Sequence, residues 1–133
     1  MRIVIENDPI PLKRARLSKN KFYDPQYVAK KNFSLEVKNK LDKTKVFPTY
    51  CPIKLIIEFH IKMANSWSKK KKERLLMAPH TGKTDLDNYV KWIGDSLNNV
   101  IWVDDSQIYQ IDAKKLWNHE GKTVLDIYIL EEK

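Results

Sequence analysis

Cysteine is nearly absent from the chain. Cys51 is the single one among 133 residues, which excludes an intramolecular disulfide and any cysteine-cluster zinc site. Placed between Tyr50 and Pro52, it reads as a small buried hydrophobe. Glycine is scarce too, three residues in all, so there is no Gly-rich linker and no glycine cradle for a triphosphate. Thr81-Gly82-Lys83-Thr84 ends like a nucleotide-binding loop, but that pattern needs a glycine five positions before Gly82, where Met77 stands. No nucleotide cofactor is expected. No run of ~18 apolar residues could span a bilayer, and no secretory signal opens the chain; a membrane partner is not expected, and the setting reads as cytoplasmic. The three histidines, His60, His80 and His119, show no metal-ligand spacing. His80, five residues before Asp85, reads by default as an exposed loop histidine, the alternative being a phosphate contact.

Acidic charge is lacking where basic charge is plentiful. The net charge is +8, from 25 Lys and Arg against 17 Asp and Glu. Residues 1–84 hold 20 basic and 7 acidic side chains, while residues 85–133 hold 5 basic and 10 acidic. Such asymmetry points to a polyanionic partner, and nucleic acid is the one that fits. The alternative is a merely solvated basic surface. Two segments concentrate the cations. Residues 11–23 carry Lys13, Arg14, Arg16, Lys19 and Lys21 ahead of Phe22 and Tyr23, a basic loop able to meet phosphates and stack a base, or to dock its aromatics on the core. Lys69, Lys70, Lys71 and Lys72 form the second.

At this length one domain over residues 1–133 is expected, with a small core. Residues 2–6 read as a short strand. Asp24-Pro25 reads as an N-cap with proline in the first turn, opening a helix over about 25–42, with an imperfect stripe of Tyr27, Val28, Leu35 and Leu41. Residues 53–63 alternate, with Ile53, Leu55, Ile57, Phe59 and Ile61 on one face, the strongest strand signal present. A short helix is expected within 68–77. Leu86, Val90, Ile93 and Leu97 recur at helical spacing. Residues 107–117 and 122–130 read as strands joined by a hairpin turn over 118–121. The order β-α-β-(α)-α-β-β predicts an α+β domain, a mixed sheet with about two main helices.

Against this basic background stand four aspartates within about twenty residues. Asp85 and Asp87 open the second main helix, and Asp104 and Asp105 close the loop after it. Carboxylates at that density repel unless neutralised, and Mg²⁺ binds through a few carboxylates together with waters and substrate phosphates. Each pair also has a plainer reading. An acid at a helix start caps backbone N–H groups and faces the positive end of the dipole, and aspartates stabilise turns. Lys91, four residues after Asp87, either pairs with it on the helix surface or stabilises charge on a phosphate. Asp95 lies a turn further along. Adjacent residues in an extended segment point to opposite sides, so one of Asp104 and Asp105 should face the helix.

The run Lys83-Thr84-Asp85-Leu86-Asp87-Asn88, then Lys91, Asp95 and Leu97, then Val103-Asp104-Asp105-Ser106-Gln107-Ile108, resembles the RusA-type Holliday-junction resolvases of bacteria and their prophages. The shared pattern is D-L-D-N, a lysine four residues after its second Asp, D-x-L on the same helix, and D-D-x-Q-[IV] after the loop. Arg14-Ala15-Arg16, Tyr23-Asp24-Pro25 and Ser66 to Lys71 add weaker likeness, so it extends over nearly the whole chain. Thr84 departs from it, since many relatives carry Pro or Arg there. The resemblance implies a homodimeric endodeoxyribonuclease of DNA recombination and repair. Such enzymes depend on Mg²⁺, with Mn²⁺ as a substitute, and nick four-way DNA junctions symmetrically. By the same resemblance Asp85, Asp87 and Asp105 are the catalytic and metal-binding carboxylates, with Asp104 as a further ligand, and Lys91 is the catalytic lysine. Arg14, Arg16, Lys19, Lys21 and Lys69 to Lys72 would hold the DNA backbone. Two other functions stay open: a non-catalytic nucleic-acid-binding module and a metal nuclease for other branched DNA.

Overall fold

The computed structural model describes residues 1–13, 16–18 and 21–131, with side chains described outside 14–22. Its centre is β4 (Ile53–Lys62), where the alternation in sequence becomes alternation in space: Ile53, Leu55, Ile57 and Phe59 are all buried. β1 (Arg2–Ile5), β5 (Ile108–Asn118) and β6 (Lys122–Ile129) complete a four-stranded sheet in the order β1-β6-β4-β5. The β1–β6 and β6–β4 pairs are antiparallel and β4–β5 is parallel, so the sheet is mixed as expected. A separate small hairpin of β2 (Arg16–Ser18) and β3 (Lys21–Tyr23) lies within the segment read as a basic loop. The side chains of Arg14, Arg16, Lys19 and Lys21 fall outside the described residues.

The hairpin expected at 118–121 is not one. β5 and β6 run antiparallel but do not pair, because β4 lies between them and bonds to both. β4 carries the longest apolar alternation and takes the centre, where both of its edges and its core face are used. The three residues 119–121 therefore carry the chain from one side of β4 to the other. Gly121 is required in that passage, since a Cβ there would fall 2.9 Å from the Asp8 backbone.

Among the described residues three α-helices accompany the sheet: α1 (Tyr27–Asn39), the short α2 (Lys69–Leu75) and α3 (Leu86–Ser96). α1 starts two residues later than its sequence suggests. Gln26 holds the N-cap position, while the Asp24 carboxylate accepts from the Gln26 N–H at 2.8 Å and from Lys30 Nζ at 2.6 Å. The stripe of Tyr27, Val28 and Leu35 is exposed. The packed face is Ala29, Phe33 and Val37, because Phe33 reaches across to Trp92 of α3, ring edge to face at 4.8 Å. Lys30 also donates to Asp95 at 2.6 Å, tying α1 to α3. α3 buries Tyr89, Trp92 and Ile93, and Leu97 just past its end, in one core with the inward residues of β1, β4 and β6. Fully burying each such large apolar side chain stabilises the fold by ~1.5–3 kcal/mol.

Candidate functional site

The path into α3 is fixed against the sheet. Residues 77–80 run beside the outer edge of β5. The Met77 N–H donates to the Trp117 carbonyl at 2.8 Å, that of Trp117 to Ala78 at 3.0 Å, and that of His80 to Lys115 at 2.9 Å. His80 is buried, not the exposed histidine its loop position suggests; its ring tilts onto Trp117 at 4.4 Å. Burial and the nearby Lys115 ammonium push its pKa below the ordinary histidine value. Gly82 lies over that ring so closely that a Cβ would be 2.9 Å from His80 Nε2. From β5, Lys115 Nζ donates to the Thr84 carbonyl at 2.6 Å and toward that of Gly82 at 3.4 Å.

Thr84, the residue before the first aspartate, has φ 94°. That conformation is costly for a β-branched side chain, on the order of 1–3 kcal/mol. Asp85 is the N-cap of α3 in extended backbone, yet its side chain makes no capping hydrogen bond. Capping therefore does not occupy its carboxylate. Asp87 lies in the first turn, exposed, and its Oδ2 is 3.4 Å from Lys91 Nζ, with both side chains more than 60 % exposed. Asp85, Asp87, Asp104, Asp105 and Lys91 are all exposed.

The second acidic pair is held by a different set of bonds. Trp102 is fully buried, and its Nε1 donates to the Gly94 carbonyl at 3.2 Å and to Asn98 Oδ1 at 3.1 Å, pinning the loop to the C-terminal half of α3. Asp104 caps the 3-10 turn Asp105–Gln107. Its Oδ2 accepts from the Ser106 N–H at 3.0 Å, and bonding to Ser106 lowers its pKa from the usual aspartate value. The Gln107 amide is used at both ends. Its oxygen accepts from the N–H groups of Val103 and Asp104, and its nitrogen donates to the carbonyls of Thr49 and Cys51 at 2.9 and 3.0 Å. Cys51 itself is only half-buried, contrary to its sequence reading, because it belongs to this stitched surface loop rather than to the core.

With Asp104 engaged in the turn, Asp105 is the acid that lies on α3. A Cβ on Gly94 would be 3.4 Å from Asp105 Cβ and 3.5 Å from its Oδ2. Asp87, Lys91 and Gly94 are spaced by four and three residues and so share one helix face, turned away from Tyr89, Trp92 and Ile93 and buried at Gly94, where Asp105 covers it. The outward side of α3 thus carries a row: the Asp87 carboxylate, the Lys91 ammonium, then the Asp105 carboxylate over Gly94. Asp85, the N-cap, precedes this row in the chain. Sequence reasoning missed Gly94; its signal was a glycine at helical spacing from Asp87 inside a helix, which needs a reason. We expect Gly94→Ala to raise stability by ~0.5–1 kcal/mol through helix propensity, since its Cβ meets Asp105 at ordinary contact distance. Gly94→Leu should lose ~1–3 kcal/mol by overpacking. Denaturant midpoints with unchanged slope check both.

As oxygen donors these acids suit a hard divalent cation. Their side chains do not converge into a closed cage: among the described residues no three His, Cys, Asp or Glu stand close enough to hold a metal together. Seven residues separate Asp87 from Gly94, a rise of about 10 Å along the helix. The row is open to solvent, unlike the apolar hollow lined by Ile10, Phe33, Phe59 and Trp92, which includes none of the acids.

The lysine run forms α2, capped by Ser68 Oγ accepting from the Lys71 N–H at 3.1 Å. Lys69 and Lys70 are exposed and Lys72 is half-buried. Lys71 folds back over the Trp67 ring at 4.0 Å, and Trp67 meets Trp117 edge to face. This basic helix leads directly, through residues 76–85, into the acidic row.

Comparison with known proteins points to a family and a relative. The family model described as "Endodeoxyribonuclease RusA" matches residues 6–128. An uncharacterized protein, YqaN of Bacillus subtilis (strain 168), is 38% identical over 76 residues, which cover 53% of this chain and 53% of that protein. The match thus spans about half the length of that relative.

Proposed function

Because this chain belongs to the RusA endodeoxyribonuclease family, we propose that it is a divalent-metal-dependent endonuclease that nicks branched DNA, four-way junctions foremost. The observation that carries this reading is the exposed row on α3, together with an Asp85 carboxylate that makes no capping bond at the helix start. Exposed carboxylates repel a phosphate backbone, so a protein that merely bound DNA would be weakened by them. With a cation between acid and phosphate the same groups become a reason to bind. The open geometry agrees with Mg²⁺, which keeps several waters and uses one or two carboxylates plus substrate phosphate. Mn²⁺ takes similar oxygen ligands.

In this reading Asp85, Asp87 and Asp105 would supply carboxylate ligands to one or two ions, each ion completed by waters and substrate phosphate rather than by all three acids together. A bound divalent ion supplies an activated water and offsets charge at the scissile phosphate. Asp104, tied into its turn, keeps Asp105 in place. Lys91, set beside Asp87 on the acidic row, places a cation against the phosphate. Lys69, Lys70 and Lys72 would meet the backbone further along, adding a salt-dependent, sequence-independent hold. Two copies related by a two-fold axis would match the near-symmetry of a junction. The edge of β5 has no strand beyond it over residues 109–113 among the described residues, with Tyr109 and Ile111 exposed, and offers a place for a second copy to pair.

The test is incubation with an end-labelled four-way junction in Mg²⁺ and in EDTA, beside a linear duplex of the same sequence. Paired nicks near the crossover, in Mg²⁺ only and on the junction only, are expected. Tight binding with no cleavage in Mg²⁺ or Mn²⁺ would instead make the chain a binding module.

A further inference from the structure

The nuclease reading assigns no work to Lys115, yet this residue is unusually placed. It lies on the core side of β5, opposite Phe59 of β4, and is half-buried. No carboxylate stands within ion-pair distance of it among the described residues. Its ammonium is met by main-chain carbonyls, Thr84 at 2.6 Å and Gly82 at 3.4 Å. A charge-assisted bond of that length is among the stronger ones a side chain makes.

The position of this bond matters. The Thr84 carbonyl belongs to the same peptide plane as Asp85 N and Cα, so holding the oxygen orients the plane from which the Asp85 side chain departs. On its other side, Asp85 is fixed by its own carbonyl, which accepts from the Asn88 N–H at 3.1 Å. Thr84 would not choose φ 94° unaided. Something must hold it there, and the bond from β5 falls on its carbonyl. Below, Gly82 lies on the buried His80 ring, so the loop is pressed onto the sheet at two points.

We propose that Lys115 is a positioning residue for Asp85: it clasps the carbonyl of the strained Thr84 and so orients the carboxylate at the start of α3. This rests on the nuclease reading for its consequence, but not for the clasp itself.

The comparison is between Lys115→Met, which keeps the stem and removes the donor, and Lys115→Arg, which keeps a donor. In Lys115→Met, amide hydrogen exchange should quicken over residues 82–88 while the exchange of β4 and β6 stays as in wild type. Affinity for Mn²⁺ alone and single-turnover cleavage of a junction should each fall by roughly 10–100-fold, the range for losing a group that orients a metal ligand. Junction affinity in Ca²⁺ should hardly change, and Lys115→Arg should recover most of the loss. If Lys115→Met does not fold, Lys115→Gln gives the same comparison with smaller amplitude. Unchanged exchange at 82–88, or exchange quickened evenly over the whole chain, overturns the clasp. A wild-type protein that leaves junctions uncut removes the nuclease reading instead, and the exchange result then decides the clasp alone.

Discussion

Asp87→Asn should bind a four-way junction as well as the wild type and fail to cut it. The substitution keeps shape and volume and removes one formal charge and one anionic donor. Little of the fold depends on that charge. Asp87 is exposed, and its pairing with Lys91 at 3.4 Å is a surface contact between helix neighbours, of a kind worth ~0.3–0.5 kcal/mol. Its position in the first turn of α3 adds ~0.3–1 kcal/mol through the helix dipole. Melting should therefore shift by a few degrees at most. Cleavage should fall by at least ~10²–10³-fold, because the group that would anchor the ion acts where charge develops in the reaction. Junction binding in Ca²⁺ should stay level, and in EDTA it should tighten, since a carboxylate facing phosphate has been neutralised. Single-turnover assays with the enzyme in excess separate these quantities. Near wild-type cleavage by Asp87→Asn would take Asp87 out of the site and return it to helix-start chemistry.

The parts of this structure that sequence could show are those in which local pattern and tertiary demand agree. β4 was legible because Ile53, Leu55, Ile57 and Phe59 alternate and are also the residues that become buried. α3 was legible as a helix, but its buried face centres on Tyr89, Trp92 and Ile93 rather than on Leu86 and Val90, which are only half-buried. Aromatic side chains reached Phe59 and Phe33 across the core and turned the helix toward them. On α1 two series compete at the same spacing, and the one containing Phe33 and Val37 won for a reason outside the helix. The passage over 118–121 misled because local turn signals report a reversal of direction, not which strand will stand between the two arms.

The acids follow the same division. Their positions stand in the chain as a spaced pattern, but what each one does depends on partners far away in sequence. Asp104 and Asp105 are adjacent and chemically alike. They separate only because Gln107 ties their turn to the carbonyls of Thr49 and Cys51 and Trp102 hangs it from Gly94. Gly94 is then the floor beneath Asp105, and Lys115 the hold on the residue before Asp85. Both are long-range contacts, and no short window of sequence contains both partners of either.

Lys91 allows a sharper test than any acid, because its two readings predict different magnitudes. Its Nζ lies 3.4 Å from Asp87 Oδ2 and the side chain is 63 % exposed, so as a surface partner it contributes roughly 0.5 kcal/mol or less. On that reading Lys91→Gln would leave melting and turnover nearly as they are. In the proposed nuclease reading, its place between Asp87 and the Asp105 carboxylate along α3 would give it a second role. A phosphate drawn to a cation held by those acids would lie against this ammonium, and the charge that grows on its oxygens would be met by it. Removing one such preorganised donor costs ~10²–10³-fold in rate. The contact strengthens as charge develops, so affinity for the uncleaved junction should change far less than the rate. Lys91→Arg should retain part of the activity, since a guanidinium keeps the charge but spreads it over a planar fork of different reach. Single-turnover cleavage in Mg²⁺, with junction binding measured in parallel in Ca²⁺, reads both quantities. Equal losses in rate and affinity would make Lys91 an ordinary phosphate contact, and no loss in either would leave it a solvated helix lysine.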